Sequence, residues 1–244
     1  MKTCLFAGPS LFRCSVPAGI RLHGPAAMGS VFRALEAGYR RIAIVDGYFG
    51  NTPAVWHKEI LFALSQGVEV CGAASMGALR AAELHEFGML GIGRIFRLYR
   101  RGAWVDDDEV AVTHGPEELG FCPTSEVMAN IRFTLRRLRH SALISEANEI
   151  ELVRRMKARH FSERTRDELG EQAARLLGMR PGAELMLAFE RRYVDAKRDD
   201  ALALIGHLLR GTPAVTKAPS WRFPATVHWL QQFDQRLEDV PPLR

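Results

Sequence analysis

Residues 53–83 decide how this chain folds: Pro53-Ala54-Val55-Trp56-His57-Lys58-Glu59-Ile60-Leu61-Phe62-Ala63-Leu64, a turn at Gln66-Gly67, then Val68-Glu69-Val70-Cys71-Gly72-Ala73-Ala74-Ser75-Met76-Gly77-Ala78-Leu79-Arg80-Ala81-Ala82-Glu83. The pattern predicts helix, turn, strand, sharp bend, helix. Pro53 suits a first helical turn, where a missing N–H costs nothing. The run to Leu64 is apolar on nearly every face, so that helix is expected to be buried on most sides. Gly67 supplies a left-handed stop. Val68 to Ala73 is a short β-prone run, followed by small residues, Ser75 and a helix-forming stretch.

A serine between strand and helix, flanked by small residues, has the form of a nucleophile elbow. The usual G-x-S-x-G stands here as Ala73-Ala74-Ser75-Met76-Gly77. Alanine can fill the first slot if the position needs close approach rather than positive φ. Such a bend would expose Oγ, and the amides of Met76 and Gly77 could hold an oxyanion. The competing reading is a serine N-cap on an ordinary helix.

Lys58 bears on that choice. Its helical neighbours Val55, Leu61 and Phe62 are apolar, so the lysine either snorkels or serves a function. It lies roughly 13 Å before the turn at ~1.5 Å per residue, and its side chain adds about 6 Å. Ser75 lies roughly 23–26 Å beyond the turn along an extended strand. The similar heights permit a Ser75–Lys58 pair, in which a desolvated, neutral amine acts as general base.

The same residues carry a resemblance. The blocks Pro53–Ile60, Gly72–Glu83 and Asp106-Asp107-Asp108-Glu109-Val110-Ala111-Val112 resemble the TfuA protein family, and Phe6-Ala7-Gly8-Pro9-Ser10 and Ile44-Val45-Asp46-Gly47-Tyr48-Phe49 fit it too. The resemblance spans roughly residues 3–140 and fades beyond. It implies a partner of YcaO-type enzymes in peptide backbone thioamidation, as in ribosomal-peptide biosynthesis. It further implies hydrolysis of a thiocarboxylated, ubiquitin-like sulfur carrier protein by a Ser–Lys pair, with release of sulfide. Those roles map onto Ser75 and Lys58, with Met76, Gly77, Gly8, Asp46, His57 and Arg80 as oxyanion and site-lining residues. The precursor peptide is a further candidate partner. No organic cofactor or metal is implied. The rival class is a non-catalytic adaptor that binds and activates the YcaO enzyme or its peptide substrate, with Ser75 and Lys58 as core residues.

The rest of the chain sets the frame. Its 244 residues are 47% hydrophobic and 25% charged, an ordinary globular composition with room for one large domain or two small ones. No apolar run approaches the ~18 residues of a membrane span, and the N-terminus is too short and strand-like for a signal peptide. Cys4, Cys14, Cys71 and Cys122 show no C-x-x-C or metal spacing, so reduced thiols and a cytoplasmic protein are expected. Cys71 reads as packing. The formal charge of +5 comes from the second half, where residues 132–244 hold 21 Lys and Arg against 15 Asp and Glu. Sixteen of the 21 glycines precede residue 121.

These shifts suggest an α/β region with a parallel-rich sheet over 1–140, followed by a mostly helical portion over 141–244. Strands are expected at 2–8, 41–49, 68–73 and 110–115, with a loop over 87–93. Helices are expected at 26–36, 94–101, from about 124, and at 146–159, 165–177, 182–209 and 224–237. Asp46, at a strand's C-terminal end, could orient Lys58 or a partner, or simply make a turn. Asp106-Asp107-Asp108-Glu109 lacks cation-loop spacing and reads as a structural or partner-binding acidic loop. The arginines of 94–101 could meet an acidic protein or face solvent. Trp221 and Trp229 could anchor a partner or pack internally. No nucleic-acid module or stacking platform appears.

Overall fold

A five-stranded parallel sheet forms the centre, in the order β2-β1-β3-β4-β5. The strands are β1 (Thr3–Phe6), β2 (Ile20–His23), β3 (Arg41–Ile44), β4 (Glu69–Ala73) and β5 (Leu90–Ile92). The computed structural model describes residues 1–50, 52–210 and 221–233. The end of the helix expected over 224–237 lies outside the described residues.

Strand alternation shows why both faces are covered. Cys4, Phe6, Ile42, Ile44 and Val70 point to one face, into a core shared with α1 (Ser30–Glu36), α2 (His57–Ser65) and α3 (Met76–Leu84). Leu5, Ala43, Val45, Cys71 and Ala73 point to the other face, against Leu204, Ile205 and Leu208 of α9 (Ala196–Leu209). Cys71 is therefore a packing residue, and burial pushes its thiol well above the ordinary range.

Between these elements lie α4 (Gly93–Arg100), α5 (Met128–His140), α6 (Glu146–Lys157), α7 (Arg166–Leu177) and α8 (Met179–Arg191), and α10 (Val227–Phe233) follows α9. Helices α5 to α8 gather round Leu135, Leu152, Leu169 and Phe189. Helix α9 leaves that group and returns to the sheet. The division expected at residue 140 thus does not separate the sheet from all that follows, because the second half supplies one of the sheet's two covers. The long helix expected over 182–209 is two helices, with a break at Arg192–Asp195.

Two strand expectations change. Residues 90–92, expected as loop, pair with β4 as the edge strand β5. Residues 110–115, expected as strand, form no strand; only His114 makes an isolated bridge, to Pro123. Strand β2 carries no strong apolar run and was not anticipated.

Buried polar pairs fix the layers. The Arg41 guanidinium, at the start of β3, donates to Glu69 at 3.0 Å and to the Leu208 carbonyl at 3.1 Å. It thereby ties the C-terminal end of α9 to the strands' N-terminal edge. The opposite end of α9, which carries Lys197, consequently lies at the strands' C-terminal edge.

Candidate active site

The sheet order reverses between β1 and β3, and in open parallel sheets ligands bind at such a reversal, beyond the strands' C-terminal ends. The registers place Phe6, Ile44 and Gly72 side by side. The chain leaves these strands at Gly8, Asp46 and Ser75.

The turn into Ser75 is tight. Ser75 N donates to Ala73 O at 2.8 Å, closing a three-residue turn, and Ala74 has φ +65°. This is the strained, positive-φ form of that turn, and a left-handed alanine costs roughly 1–2 kcal/mol. The left-handed residue is therefore Ala74, while Ala73 is ordinary strand. Gly72 and Gly77 are small for another reason. A Cβ on Gly72 would meet the Gly77 carbonyl oxygen at 2.0 Å, and one on Gly77 would meet the Ile44 carbonyl oxygen at 1.8 Å. Helix α3 thus starts in direct backbone contact with the sheet, and Ser75, expected to be exposed by the bend, is instead buried, with 3% of its surface accessible.

The Ser75 side chain makes no capping bond to α3. Its Oγ instead donates to the carbonyl of Val110 at 3.3 Å. The Nζ of Lys197 donates to that same oxygen at 3.1 Å. Lys197 is buried and lies 3.6 Å from Asp46 Oδ1. Burial lowers its pKa below the usual 10.5, and the negative charges of Asp46 and Asp195 only partly oppose this. Asp46 is itself held by Gly8 N (2.8 Å), Ser10 N (2.9 Å) and Ser10 Oγ (2.6 Å). The structure thus joins Ser75, Asp46 and Gly8, and adds Lys197, Val110 and Ser10.

Lys58 is elsewhere. Its amine donates to Pro224 O at 3.2 Å and to Thr226 Oγ1 at 2.7 Å, with the Phe223 ring at 6.0 Å. The side chain is only half-buried and its amine is held by polar atoms of the segment before α10, so the dry apolar setting expected of it is not found. Trp229 and Phe223 both pack on Phe62 of α2, so Trp229 is an internal anchor. Similar heights along the sheet do not place two groups on the same face of it. Helix α2 covers one face, whereas Lys197 comes from the helix on the other. His57 and Arg80 also fall outside the constellation, since both bind Glu83, at 2.7 and 2.8 Å.

The oxyanion assignment changes in part. Gly77 N donates to Val45 O at 3.2 Å and is not available. The amides of Met76 and Gly47 have no acceptor among the described residues.

Ser75 and Lys197 line a cleft of about 490 Å³, together with Asp46, Gly47, Tyr48 and His114. A second hollow of about 460 Å³ adjoins it, sharing Pro9, Val112 and Lys197. Arg166, Arg198, Asn130 and Tyr193 lie along this second stretch.

The acidic loop has a structural job. The carboxylates of Asp106, Asp108 and Glu109 cluster, but Lys157 lies 3.1 Å from Asp106 and 3.0 Å from Glu109. Arg132 meets Glu109 at 2.7 Å, and Arg164 and Lys157 both bind Asp108. Burial would raise the Asp108 pKa, yet the bonds from Arg164 and Lys157 outweigh it and hold the group below its usual value. These pairs also seat Val110, whose carbonyl is the shared acceptor.

A sequence signal for Lys197 existed. Ala196, Lys197, Ala201, Leu204 and Leu208 share the buried stripe of α9. Lys197 thus heads a stripe that is apolar apart from Asp200, a pattern like the one around Lys58.

Residues 46–165 match the sequence model of a family described as TfuA-like protein. The matched segment contains Asp46, Ser75 and Val110 and stops before Lys197. No curated protein matched the chain.

Proposed function

This chain belongs to the TfuA-like family, and on that premise we propose that it is an accessory hydrolase of peptide backbone thioamidation, with Ser75 as nucleophile and Lys197 as base. Family membership points to the accessory role. One observation carries the chemical reading: a buried lysine with a lowered pKa and a serine at a strained bend meet on one carbonyl at the rim of a cleft.

The substrate we propose is the thiocarboxylate terminus of a sulfur carrier protein, delivered for a YcaO partner. The elongated hollow suits an extended chain end. The neutral amine of Lys197 takes the Ser75 proton as Oγ turns from Val110 O toward the thiocarboxylate carbon. The carbon–oxygen bond forms, and the carbonyl oxygen takes the negative charge. The Met76 and Gly47 amides are the donors assigned to that oxygen. The tetrahedral centre collapses, the carbon–sulfur bond breaks, and the Lys197 ammonium gives its proton to sulfur, which leaves as hydrosulfide. Water, deprotonated by Lys197, then attacks the acyl-serine; the Lys197 ammonium returns that proton to the departing Ser75 Oγ, and the carrier leaves as a carboxylate after its acid proton passes to solvent. Asp46 positions the lysine and balances its charge in the protonated steps. Burial shifts the amine toward its neutral, proton-accepting form.

The test is sulfide release from a thiocarboxylated carrier. Ser75→Ala should reduce the rate to near background while the protein stays folded. Equal sulfide from wild type and Ser75→Ala would instead favour a non-catalytic adaptor.

A further inference from the structure

A second groove lies away from Ser75, between α4, α5 and α6. It has a volume of about 500 Å³ and an apolar floor that includes Leu98, Trp104, Phe133 and Ile150. Ile150 is 61% exposed, unusual for an isoleucine on a helix that otherwise turns its apolar side inward. The rim is basic. Arg94 and Arg132 have carboxylate partners, Asp199 at 2.7 Å and Glu109 at 2.7 Å. Arg97, Arg101 and Arg136 line the same groove, and no ion pair or side-chain hydrogen bond holds their guanidinium groups among the described residues. The one acid on the rim, Glu149, is taken by Arg139 at 2.5 Å. Three exposed cations, none of them in an ion pair among the described residues, therefore surround exposed hydrocarbon; Arg97 acts only at a distance on buried Asp200, whose oxygens the Arg94 and Ile95 amides already hold.

We propose that this groove docks an acidic amphipathic helix of a partner protein. Three helices form its walls and floor, leaving a trough in which a fourth helix can lie. Carboxylates on the incoming helix would meet Arg97, Arg101 and Arg136, which favour bidentate pairing. Its apolar stripe would cover Trp104, Phe133 and Ile150. The floor suits a helix better than nucleic acid. The Arg94 guanidinium sits 4.8 Å over the Phe133 ring, and Trp104 packs against both Tyr99 and Phe133. The Arg94 guanidinium therefore covers one face of Phe133, and Trp104 is tied to two neighbouring rings, which limits base stacking here.

The probe is a fluorescein-labelled synthetic helix with Leu at heptad a and d positions and Glu elsewhere, read by fluorescence anisotropy against the full-length protein. A scrambled peptide of the same composition and a short single-stranded RNA are the comparisons. The patterned peptide should bind at least about tenfold more tightly than the scrambled one, and should weaken several-fold between about 50 and 300 mM salt. The triple variant Arg97→Ala/Arg101→Ala/Arg136→Ala should weaken binding by about tenfold or more, as expected for three modest pairs. Ile150→Asp should do the same without touching the arginines. Circular dichroism melts should leave both variants as stable as wild type, since all four side chains are exposed. Equal binding of patterned and scrambled peptides, unchanged binding in both variants, or tighter binding of the RNA at these same arginines would overturn the proposal.

Discussion

Replacing Lys197 with methionine separates the geometry described here from one built on Lys58. The substitution keeps the unbranched stem of the side chain and removes the amine. Two consequences follow from the contacts. The first is modest destabilisation. Asp46 loses a cation at 3.6 Å but keeps three donors within 2.9 Å, two backbone amides and the Ser10 hydroxyl. Breaking a buried ion pair usually costs about 3–5 kcal/mol because the remaining charge is left bare. With Asp46 still hydrogen-bonded, and with the lysine's own desolvation cost removed, a loss below about 2 kcal/mol is expected.

The second consequence is kinetic. A positioned general base contributes about 10²–10⁴-fold. Lys197→Met should thus lose at least about a hundredfold in kcat for sulfide release, whereas Lys58→Ala should stay within about twofold. The pH profile adds a check. Because burial lowers the Lys197 pKa, the neutral amine appears below pH 10.5. The wild-type rate should rise with pH to an inflection below that value, and the residual rate of Lys197→Met should lack it. Stability has the matching sign. The folded state disfavours the ammonium, so wild-type stability should be lowest below the folded pKa and rise between that pKa and 10.5. In Lys197→Met that increment should vanish. A Lys58→Ala variant as impaired as Lys197→Met, or a Lys197→Met variant with wild-type turnover, would refute the assignment.

Two further outcomes follow from the packing. Gly72→Ala or Gly77→Ala should lose about 3 kcal/mol or more, seen as a large fall in Tm or as insoluble protein, because each new methyl would meet a backbone carbonyl at 2.0 or 1.8 Å; a Tm within a few degrees of wild type would contradict the described contact. Arg41→Ala should cost about 3 kcal/mol in denaturant unfolding by leaving buried Glu69 with only the 3.4 Å contact of His207, and Arg41→Lys should recover only part of that, since an ammonium lacks the fork that serves both Glu69 and Leu208 O.

Much of the fold was legible in the chain because short-range rules govern it. The alternation of β-prone runs and helical stripes, punctuated by glycines with positive φ such as Gly38 and Gly67, set out β1, β3, β4 and the helices between them. Ser75 was legible as a strand-to-helix bend, and Asp46 as a residue at a strand's end. The miss at residues 182–209 has a local cause: two helices with similar stripes meet at a short break without proline or glycine. The miss at 110–115 has a tertiary one, because a β-prone run becomes a strand only if an edge is free to pair with it.

What the sequence determined alone was the parallel α/β layer and the strand-to-helix bend that carries Ser75, since both follow from residues close together in the chain. What only the tertiary structure decided was which lysine stands beside it. Lys58 and Lys197 both sit on apolar helical stripes, and no local pattern distinguishes a stripe that faces α10 from one that faces the sheet. The choice was made by Arg41 and Leu208, which fix how α9 crosses the far face and so bring Lys197, 122 positions along the chain, to the carbonyl that Ser75 already holds.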